Sequence, residues 1–319
     1  MSRQLSLADA LMDPRLGSNP KLERIDGLIE WSQLEALVSG VRSGETGRPP
    51  YPALPMLKAH YLAVLYSLSD PGLEEALLVR LDFRRFCGLS LADPTPDETT
   101  ILRFRHAMAA AGDLLERCLD EINRQLDGQG LMLKKGTLMD ATIVAATHNP
   151  PRPEAGLGAA HPREPGADWT KKNGKSHFGY KLHVGVDEGS GIIRKAVFTP
   201  ARTQDNEVAE ELISGDEAAV YADRIYESRA RRNALKQRGI KDRIMHRRHK
   251  HMPVLPHWMA LRNKLISRRR APVESVFSAL KRIYRKGRTR CHSLAVNAAD
   301  FIAFATVFNL RRAANVLTP

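Results

Sequence analysis

The spacing of apolar residues changes once along the chain, near Gly128, and this change limits the folds available to it. Before that point apolar residues recur with the period of an α-helix; the clearest run is Leu54, Leu57, Tyr61, Val64 and Leu65. After it, residues 137–146 are apolar and partly β-branched, and residues 177–187 alternate as in a strand. We therefore predict an α/β protein, with an all-helical domain over 1–127 and a mixed β-sheet covered by helices over 128–319.

Local signals predict the individual elements. In the first domain one helix is expected to begin at Asp70-Pro71, and another at Thr95-Pro96-Asp97-Glu98, which matches a capping box. Between the first two strands of the second domain, residues 147–176 contain five Pro and four Gly without periodicity and are predicted to form an irregular surface insertion. The other predicted strands are 192–199, 218–222 and 240–245, and the predicted helices are 205–214, 226–237, the helix after Pro272, and 294–314.

Positive charge is concentrated in one segment. Residues 224–290 contain 22 of the 49 Lys and Arg residues but only 3 of the 36 Asp and Glu residues, so the rest of the chain is net negative. Such a segment is typical of contact with a polyanion, because each neutralised phosphate releases counterions. The alternatives are a solvated basic face and an anionic membrane, but no amphipathic anchor accompanies the charge. In the first domain, helices joined by short turns are also compatible with a helix-turn-helix DNA reader.

Within this segment, a helix is predicted to begin at Pro272, since proline fits the first turn of a helix. Its buried side is expected to consist of Val273, Val276, Leu280 and Ile283. Glu274 is the only acid between residues 268 and 290, and Lys281 lies seven positions later, close to the same face. A lone carboxylate in such basic surroundings either forms a salt bridge or holds a metal ion beside a phosphate.

Two further acids occupy unusual positions. Asp140 lies inside the first predicted strand, where an acid is disfavoured and costly to bury without a partner, and Asp223 ends a later strand. Acids at strand ends and on a covering helix can converge, and their oxygens suit Mg²⁺ ions of the kind that catalyse phosphoryl transfer. Arg270 and Lys281 flank Glu274 as candidate phosphate clamps. Spacing alone is weak support for these three acids, because the chain offers many such triples.

Several blocks of residues form one specific set. In the first domain they are the run from Gly47 to Asp70, residues 83–89 (FRRFCGL) and residues 96–100 (PDETT). In the second domain they are residues 139–142 (MDAT), 175–183 (KSHFGYKLH) and 221–226 (YADRIY). Arg270, Glu274 and Lys281 fill three positions of a Tyr-x2-Arg-x3-Glu-x6-Lys motif, in which Ser267 replaces the Tyr. In these blocks, and over nearly its whole length, the chain resembles DDE-type insertion-sequence transposases of the IS five family.

The resemblance implies an RNase H-like catalytic domain in which Asp140, Asp223 and Glu274 are the catalytic residues and the ligands of two Mg²⁺ ions, for which Mn²⁺ can substitute. It implies cleavage at the inverted-repeat ends of the element and strand transfer by the freed 3′-OH. The first domain is then expected to bind the ends of the element. The expected partners are double-stranded DNA and a second copy of the chain, because two ends must be brought together. Two alternatives remain: a DNA-binding protein derived from an inactive transposase, and an RNase H-like nuclease without strand transfer.

Other charged and aromatic residues have weaker signals. The candidate DNA contacts are Arg268, Arg269, Arg270, Lys281, Lys175 and Lys181, with Lys172 beside them. Trp169 either stacks on a flipped base or covers the sheet edge. The histidines of the 246–257 loop are expected to face DNA rather than to bind zinc, because no Cys accompanies them. Asp187 and Asp205 are expected to be structural, the first before a Gly turn and the second as a helix cap.

The cysteines and the apolar runs indicate the compartment. Cys87, Cys118 and Cys291 stand alone without metal-ligand spacing, which is typical of thiols in a reducing cytosol. The sequence shows no signal peptide and no apolar run near the roughly 20 residues that a membrane span needs. We therefore expect a protein of the bacterial cytoplasm with access to the nucleoid.

Overall fold

A computed structural model of the protein describes residues 15–41, 51–149 and 161–316. The chain divides into two compact units, Met1–Leu126 with Ala303–Pro319, and Asp127–Ile302. Helices dominate the first unit and a six-stranded mixed sheet the second. The predicted α/β fold class, helices first and a helix-covered sheet after them, is therefore confirmed.

The elements are numbered here in chain order. The helices are α1 (Pro20–Leu28), α2 (Trp31–Val38), α3 (Ala53–Tyr66), α4 (Asp70–Val79), α5 (Leu81–Cys87), α6 (Glu98–Ala110), α7 (Leu114–Gly128), α8 (Arg229–Gln237), α9 (His257–Arg270), α10 (Val273–Arg282) and α11 (Leu294–Val316). The strands are β1 (Thr137–Ala145), β2 (Asp168–Lys172), β3 (Lys175–Asp187), β4 (Ile193–Pro200), β5 (Ala219–Ala222) and β6 (Lys241–Ile244).

Helix α3 forms the centre of the first unit. It packs against α2, α4, α5 and α6, and it is buried on nearly all sides from Met56 to Leu65. Two neighbours begin within the stretches that the sequence predicts, although α6 is capped by Asp97 and not by Thr95, the first residue of the predicted capping box. Ser69 caps α4, and the carboxylate of Asp97 accepts from the amide of Thr100 at the start of α6. Polar caps satisfy amides that have no partner within the helix.

The sheet of the second unit has the order β2-β3-β1-β5-β6, and β4 also pairs with β3. Strand β1 pairs antiparallel with β3 and parallel with β5, and β5 pairs parallel with β6. Met139 and Val220 lie in a core that also buries Tyr226, Leu235 and Ile244. Helix α10 packs against β1, and α9 packs against β5.

The prediction of a helix over 205–214 is wrong, because these residues form successive turns. Val208, Ala209 and Leu212 are buried at helical spacing, so the apolar pattern is real. The hydrogen bonds, however, join residues three apart, as from the Glu211 amide to the Val208 carbonyl. Arg231, from another element, donates to the carbonyl of Asn206 and to the carboxylate of Glu210, and these contacts hold the turns in place.

Two further predictions differ from the structure. Part of the 147–176 stretch is not irregular, since residues 168–172 form strand β2 and pair with β3; residues 150–160 lie outside the described part of the chain. Ile283, expected on the buried side of the Glu274 helix, is about half exposed, whereas Val273, Val276 and Leu280 are buried as predicted. The helix ends one residue before Ile283, which leaves that side chain outside the apolar face.

Helix α11 alone, among the described residues, is long and apolar enough to cross a membrane by length and composition. Most of it is buried within the protein, as in the core helix of a soluble protein, which passes the same test. The sequence predicts a helix over 294–314, but the expectation that no apolar run approaches the length of a membrane span is wrong for this helix. One such helix is weak support for a membrane span.

Candidate active site

Asp140 lies in the middle of β1 and points toward the side of the sheet that Arg270 covers. One carboxylate oxygen accepts from the amide of Ala141 at 2.9 Å, and the other accepts from the Arg270 guanidinium. The side chain is about three-quarters buried. Burial raises the pKa of Asp140, and Arg270 and the Ala141 amide offset only part of that effect. The strand therefore holds an acid whose charge needs a cation.

Asp223 follows directly after β5. Strands β1 and β5 pair in parallel, with Thr137 opposite Val220 and Leu138 opposite Tyr221. The paired register stops at Leu138 and Tyr221; continued by two residues, it would set Asp223 level with Asp140. The Asp223 carboxylate accepts from the amide of Arg224, which begins a short 3₁₀ helix, and makes no other hydrogen bond or ion pair among the described residues.

Glu274 lies in the first turn of α10 and is exposed. Its carboxylate makes no hydrogen bond or ion pair within the part of the chain that the structure describes. Between α9 and α10, Ala271 and Pro272 keep helical dihedral angles, so the chain continues in a nearly helical path. Glu274 is four residues after Arg270, and residues at this spacing share a helix face. Glu274 is therefore about one turn along the backbone from Arg270, whose guanidinium contacts Asp140.

Tyr226 is a site residue that sequence reasoning missed. It is buried, and its hydroxyl has no hydrogen-bond partner among the described residues. Burial raises the pKa of Tyr226 well above its ordinary value, and the charges of Asp205, Asp140 and Asp223 raise it further, while Arg270 opposes them. Three acids therefore act on one hydroxyl. Its position in the YADRIY block, three residues after Asp223, is the sequence signal that could have indicated it.

The chemistry of these residues suits a divalent cation, but among the described residues the oxygens of Asp140, Asp223 and Glu274 do not form a group that lies within 4.8 Å. The charges of Asp140 and Asp223 both act on the Tyr226 hydroxyl, and Glu274 is a third carboxylate, on the covering helix pair. Carboxylate oxygens are the donors that Mg²⁺ prefers. Like charges held together need a cation between them, and the orphaned Tyr226 hydroxyl adds a buried polar atom nearby.

Cations surround these acids. The charge of Lys172 opposes the rise in the pKa of Asp140. Partial burial lowers the pKa of Lys281, and the charge of Lys172 lowers it further. Lys172 therefore lies near both Asp140 and Lys281. Arg269 forms an ion pair with Glu188 at 2.7 Å and remains largely exposed. Arg268 and Lys175 are exposed.

Lys181, another candidate DNA contact, has its ammonium group held inside the protein. It donates to the Asp205 carboxylate at 2.8 Å and to the carbonyl of Thr203 at 2.9 Å. Asp205 is therefore engaged in an ion pair rather than in a helix cap. Asp187 is fully buried and accepts from the amides of Leu133 and Lys134, which is a structural arrangement.

A basic pocket of about 660 Å³ opens in the segment that follows Asp223. Its lining is Glu227, Ser228, Arg229, Arg232, Arg247, Arg248 and His249. Arg232 is held by Glu227 at 2.7 Å and by Asp242 at 3.0 Å, whereas Arg248 is exposed and makes no hydrogen bond or ion pair with the described residues. The pocket can therefore accept an anion.

The remaining aromatic and histidine candidates have local contacts. Trp169 packs against Phe178 with ring centroids 5.4 Å apart, within the β2–β3 pair. In the 246–257 loop, His246 packs edge-on against Trp258 and its Nδ1 accepts from the Arg232 guanidinium. Among the described residues the loop histidines form no cluster with metal-ligand spacing.

An α/β unit with paired acids on its sheet, a third acid on a covering helix and a basic surround has the features of an enzyme acting on polynucleotides. Two family models match the chain: the Transposase DDE domain over residues 132–310, and the Transposase domain (DUF772) over residues 11–107. The first alone covers more than half of the chain, so the chain belongs to the DDE transposases, which are DNA-cutting enzymes. The IS five assignment stays a prediction. No solved structure matches the chain.

Proposed function

We propose that this transposase binds the inverted-repeat ends of an insertion sequence, cleaves there and joins the freed 3′-OH to target DNA, with Asp140, Asp223 and Glu274 as its catalytic carboxylates. The observation that supports the proposal is the parallel pairing of β1, which carries Asp140, with β5, which leads into Asp223, together with the effect of both carboxylates on the buried Tyr226 hydroxyl. Glu274 is proposed to join them from the first turn of α10, four residues after the Arg270 that contacts Asp140.

Each residue has a role that follows from its position. The three carboxylates would hold two Mg²⁺ ions, which when bound activate the attacking oxygen and stabilise the leaving oxygen. Strand β1 provides a rigid base for Asp140, since it is hydrogen-bonded on both sides. Lys172 and Lys281 neutralise the phosphate that enters between them and the acids. Catalysis then consists mainly of positioning and charge neutralisation.

The helical unit is proposed to recognise the ends of the element, and residues 224–290 to contact phosphates nonspecifically. Two copies would act together, because two ends are joined in one reaction. The protein would work where the bacterial chromosome lies, in the cytoplasm.

The test is incubation of the full chain with inverted-repeat DNA and Mg²⁺. Asp140→Asn, Asp223→Asn and Glu274→Gln should each reduce strand cleavage by at least about 100-fold, the scale on which loss of one preorganised electrostatic group acts. DNA binding should be kept. Asp168→Asn is the matched control, since Asp168 begins the edge strand β2 and pairs with Arg202. Its cleavage rate should be unchanged.

The outcomes separate the alternatives. Binding without cleavage by the unaltered chain would favour a DNA-binding derivative of a transposase. Cleavage without a joined product would favour a nuclease. An acid variant that retains full cleavage would remove that residue from the site.

A further inference from the structure

A second cluster of metal-ligating side chains lies outside the catalytic carboxylates. His148 follows β1, Glu164 precedes β2, and His292 precedes α11, so the three come from distant parts of the sequence. Each of the three residues offers one potential ligand atom, and these three atoms all lie within 4.8 Å of one another. We propose that His148, Glu164 and His292 form a binding site for a divalent transition-metal ion, with Zn²⁺ as the fitting ion, and that the metal clamps these three segments together.

The carboxylate of Glu164 is fully buried and already oriented. Its Oε1 accepts from the Thr147 amide at 3.2 Å, the Tyr180 hydroxyl at 3.1 Å and the Thr289 hydroxyl at 3.3 Å. Its Oε2 accepts from the His148 amide at 2.9 Å and faces the His148 ring. One oxygen is therefore held by three donors, and the other accepts from the His148 amide and faces the His148 ring.

The charge of Glu164 lacks a permanent cation. Its hydrogen-bond donors are backbone amides and hydroxyl groups, which are neutral. Among the described residues it forms an ion pair only with His148, and that pair is charged only when the ring is protonated. A buried carboxylate without a Lys or Arg partner among the described residues is a position that a bound cation would stabilise.

The spacing fits a small tetrahedral ion. Ligand bonds of about 2.0–2.2 Å set neighbouring ligand atoms of a tetrahedral Zn²⁺ site about 3.4 Å apart. The His148 Nδ1 and Glu164 Oε2 atoms are 3.2 Å apart, close to that distance without any movement. The His292 ring centroid lies 4.5 Å from that of His148, and because His292 is exposed it can rotate to close the remaining gap.

The donor set selects the class of metal. Two imidazoles and one carboxylate suit Zn²⁺ and its transition-metal neighbours, whereas Mg²⁺ prefers oxygen ligands alone. His161 stacks on the His148 ring at 4.5 Å and limits its orientation. The hydroxyl and amide donors on Glu164 act as the outer partners that orient a metal ligand. This site is independent of the proposed catalytic ions.

The experiment is a calorimetric titration of the metal-free full chain with Zn²⁺ in excess Mg²⁺, repeated with Co²⁺ to follow visible absorption. We expect one Zn²⁺ per chain, with an affinity that falls by more than about 100-fold in His148→Ala and in His292→Ala, beyond the effect of losing an outer partner. Zinc at about 100 times Kd should raise the melting temperature of the second unit, which contains the site, by roughly 5–10 °C.

Two control variants test whether the loss of Zn²⁺ affinity is specific to the proposed site. His249→Ala removes an exposed histidine from the 246–257 loop, and Asp140→Asn alters the catalytic carboxylates; both should bind Zn²⁺ as the unaltered chain does. His292→Ala removes an exposed side chain, so it is expected to fold, and its melting curve in the absence of metal checks this. The proposal is overturned if the unaltered chain binds no Zn²⁺, or if binding survives both His148→Ala and His292→Ala.

Discussion

Two buried tyrosines allow the same substitution to be compared at sites with and without a hydrogen bond. The Tyr180 hydroxyl donates to Glu164 at 3.1 Å, whereas the Tyr226 hydroxyl has no partner among the described residues. A buried polar group without a partner costs about 1–3 kcal/mol, and a bond to a charged acceptor stabilises by about 1.5–3 kcal/mol. We expect Tyr226→Phe to leave the free energy of unfolding unchanged or to raise it, and Tyr180→Phe to lower it by about 2 kcal/mol, in urea titrations without divalent metal. Equal losses in both variants would contradict this expectation.

Arg270 donates a hydrogen bond to the Asp140 carboxylate, which is also a proposed ligand of the Mg²⁺ ions. Because its guanidinium contacts Asp140, a metal ion must displace or share that contact. Arg270→Gln is expected to tighten Mg²⁺ binding in the absence of DNA by roughly 10-fold, the equivalent of about 1.4 kcal/mol, and to weaken DNA binding. Calorimetry measures the first effect. Arg269→Gln is the control, since Arg269 pairs with Glu188 instead; an equal gain in both variants would show that only general charge matters.

His183 makes the stability of the second unit depend on pH. Burial lowers the pKa of this histidine to about 4, from about 6.5 in an unfolded chain. Between these two values the unfolded chain binds a proton that the folded chain does not, so stability is fully present above about pH 6.5 and is lost as the pH falls toward 4. The loss attributable to His183 is roughly 3 kcal/mol. His183→Gln should show a shallower fall in unfolding free energy over this range, and an identical fall would exclude His183 as its source.

The acids of the candidate site could be found from the sequence, but their surroundings could not. Asp140 is conspicuous inside an apolar strand, and Asp223 and Glu274 fall in recognisable blocks. The sequence does not reveal that Arg270 reaches Asp140, because that contact joins residues 130 positions apart. Nor does it reveal the Tyr226 hydroxyl, since a tyrosine near a strand end is usually a core residue.

At the level of elements, the strength of local signals decided which predictions held. Helix α6 was predictable because its cap is encoded in adjacent residues. The stretch 205–214 was not, because Arg231, on a different element, binds the Asn206 carbonyl and Glu210 and supports turns in place of a helix. Strand β2 is short and has a polar sequence, and only its pairing with β3 makes it a strand. Tertiary contacts therefore overrode local pattern at both places.

The cap of α6 gives a prediction at this scale. The Asp97 carboxylate accepts from the Thr100 amide at 2.6 Å and from the Thr99 hydroxyl at 2.9 Å, and these bonds lower its pKa. Asp97→Ala should lower the stability of the first unit by about 1 kcal/mol near neutral pH, and Asp97→Asn, which keeps the acceptor, should lower it much less. Thermal melting measures the difference. Because folding lowers the pKa of Asp97, the stability that its charge contributes should be lost as the pH falls below the ordinary pKa of an aspartate. Equal losses of stability in both variants would contradict a capping role.

For the whole molecule, the uneven distribution of charge has a measurable consequence. Residues 224–290 carry the entire positive excess of the chain, and they include the arginines of the basic pocket. Phosphate contacts make the logarithm of the DNA-binding constant fall linearly with the logarithm of salt concentration, with a slope of about −0.9 for each contact. The proposed phosphate contacts therefore predict a steep salt dependence for the unaltered chain.

Arg248 offers the cleanest single test of that dependence, because it lines the basic pocket, is exposed and makes no ion pair with the described residues. Arg248→Gln should reduce the magnitude of the salt slope by about 1 and weaken binding equally for specific and unrelated DNA sequences. Arg202→Gln is the control, since Arg202 is exposed outside the segment and pairs with Asp168. Binding measured by fluorescence anisotropy over a salt series gives both slopes. If the slope is flat for the unaltered chain, or changes equally in both variants, then residues 224–290 do not provide the phosphate contacts and the basic pocket is a solvated surface.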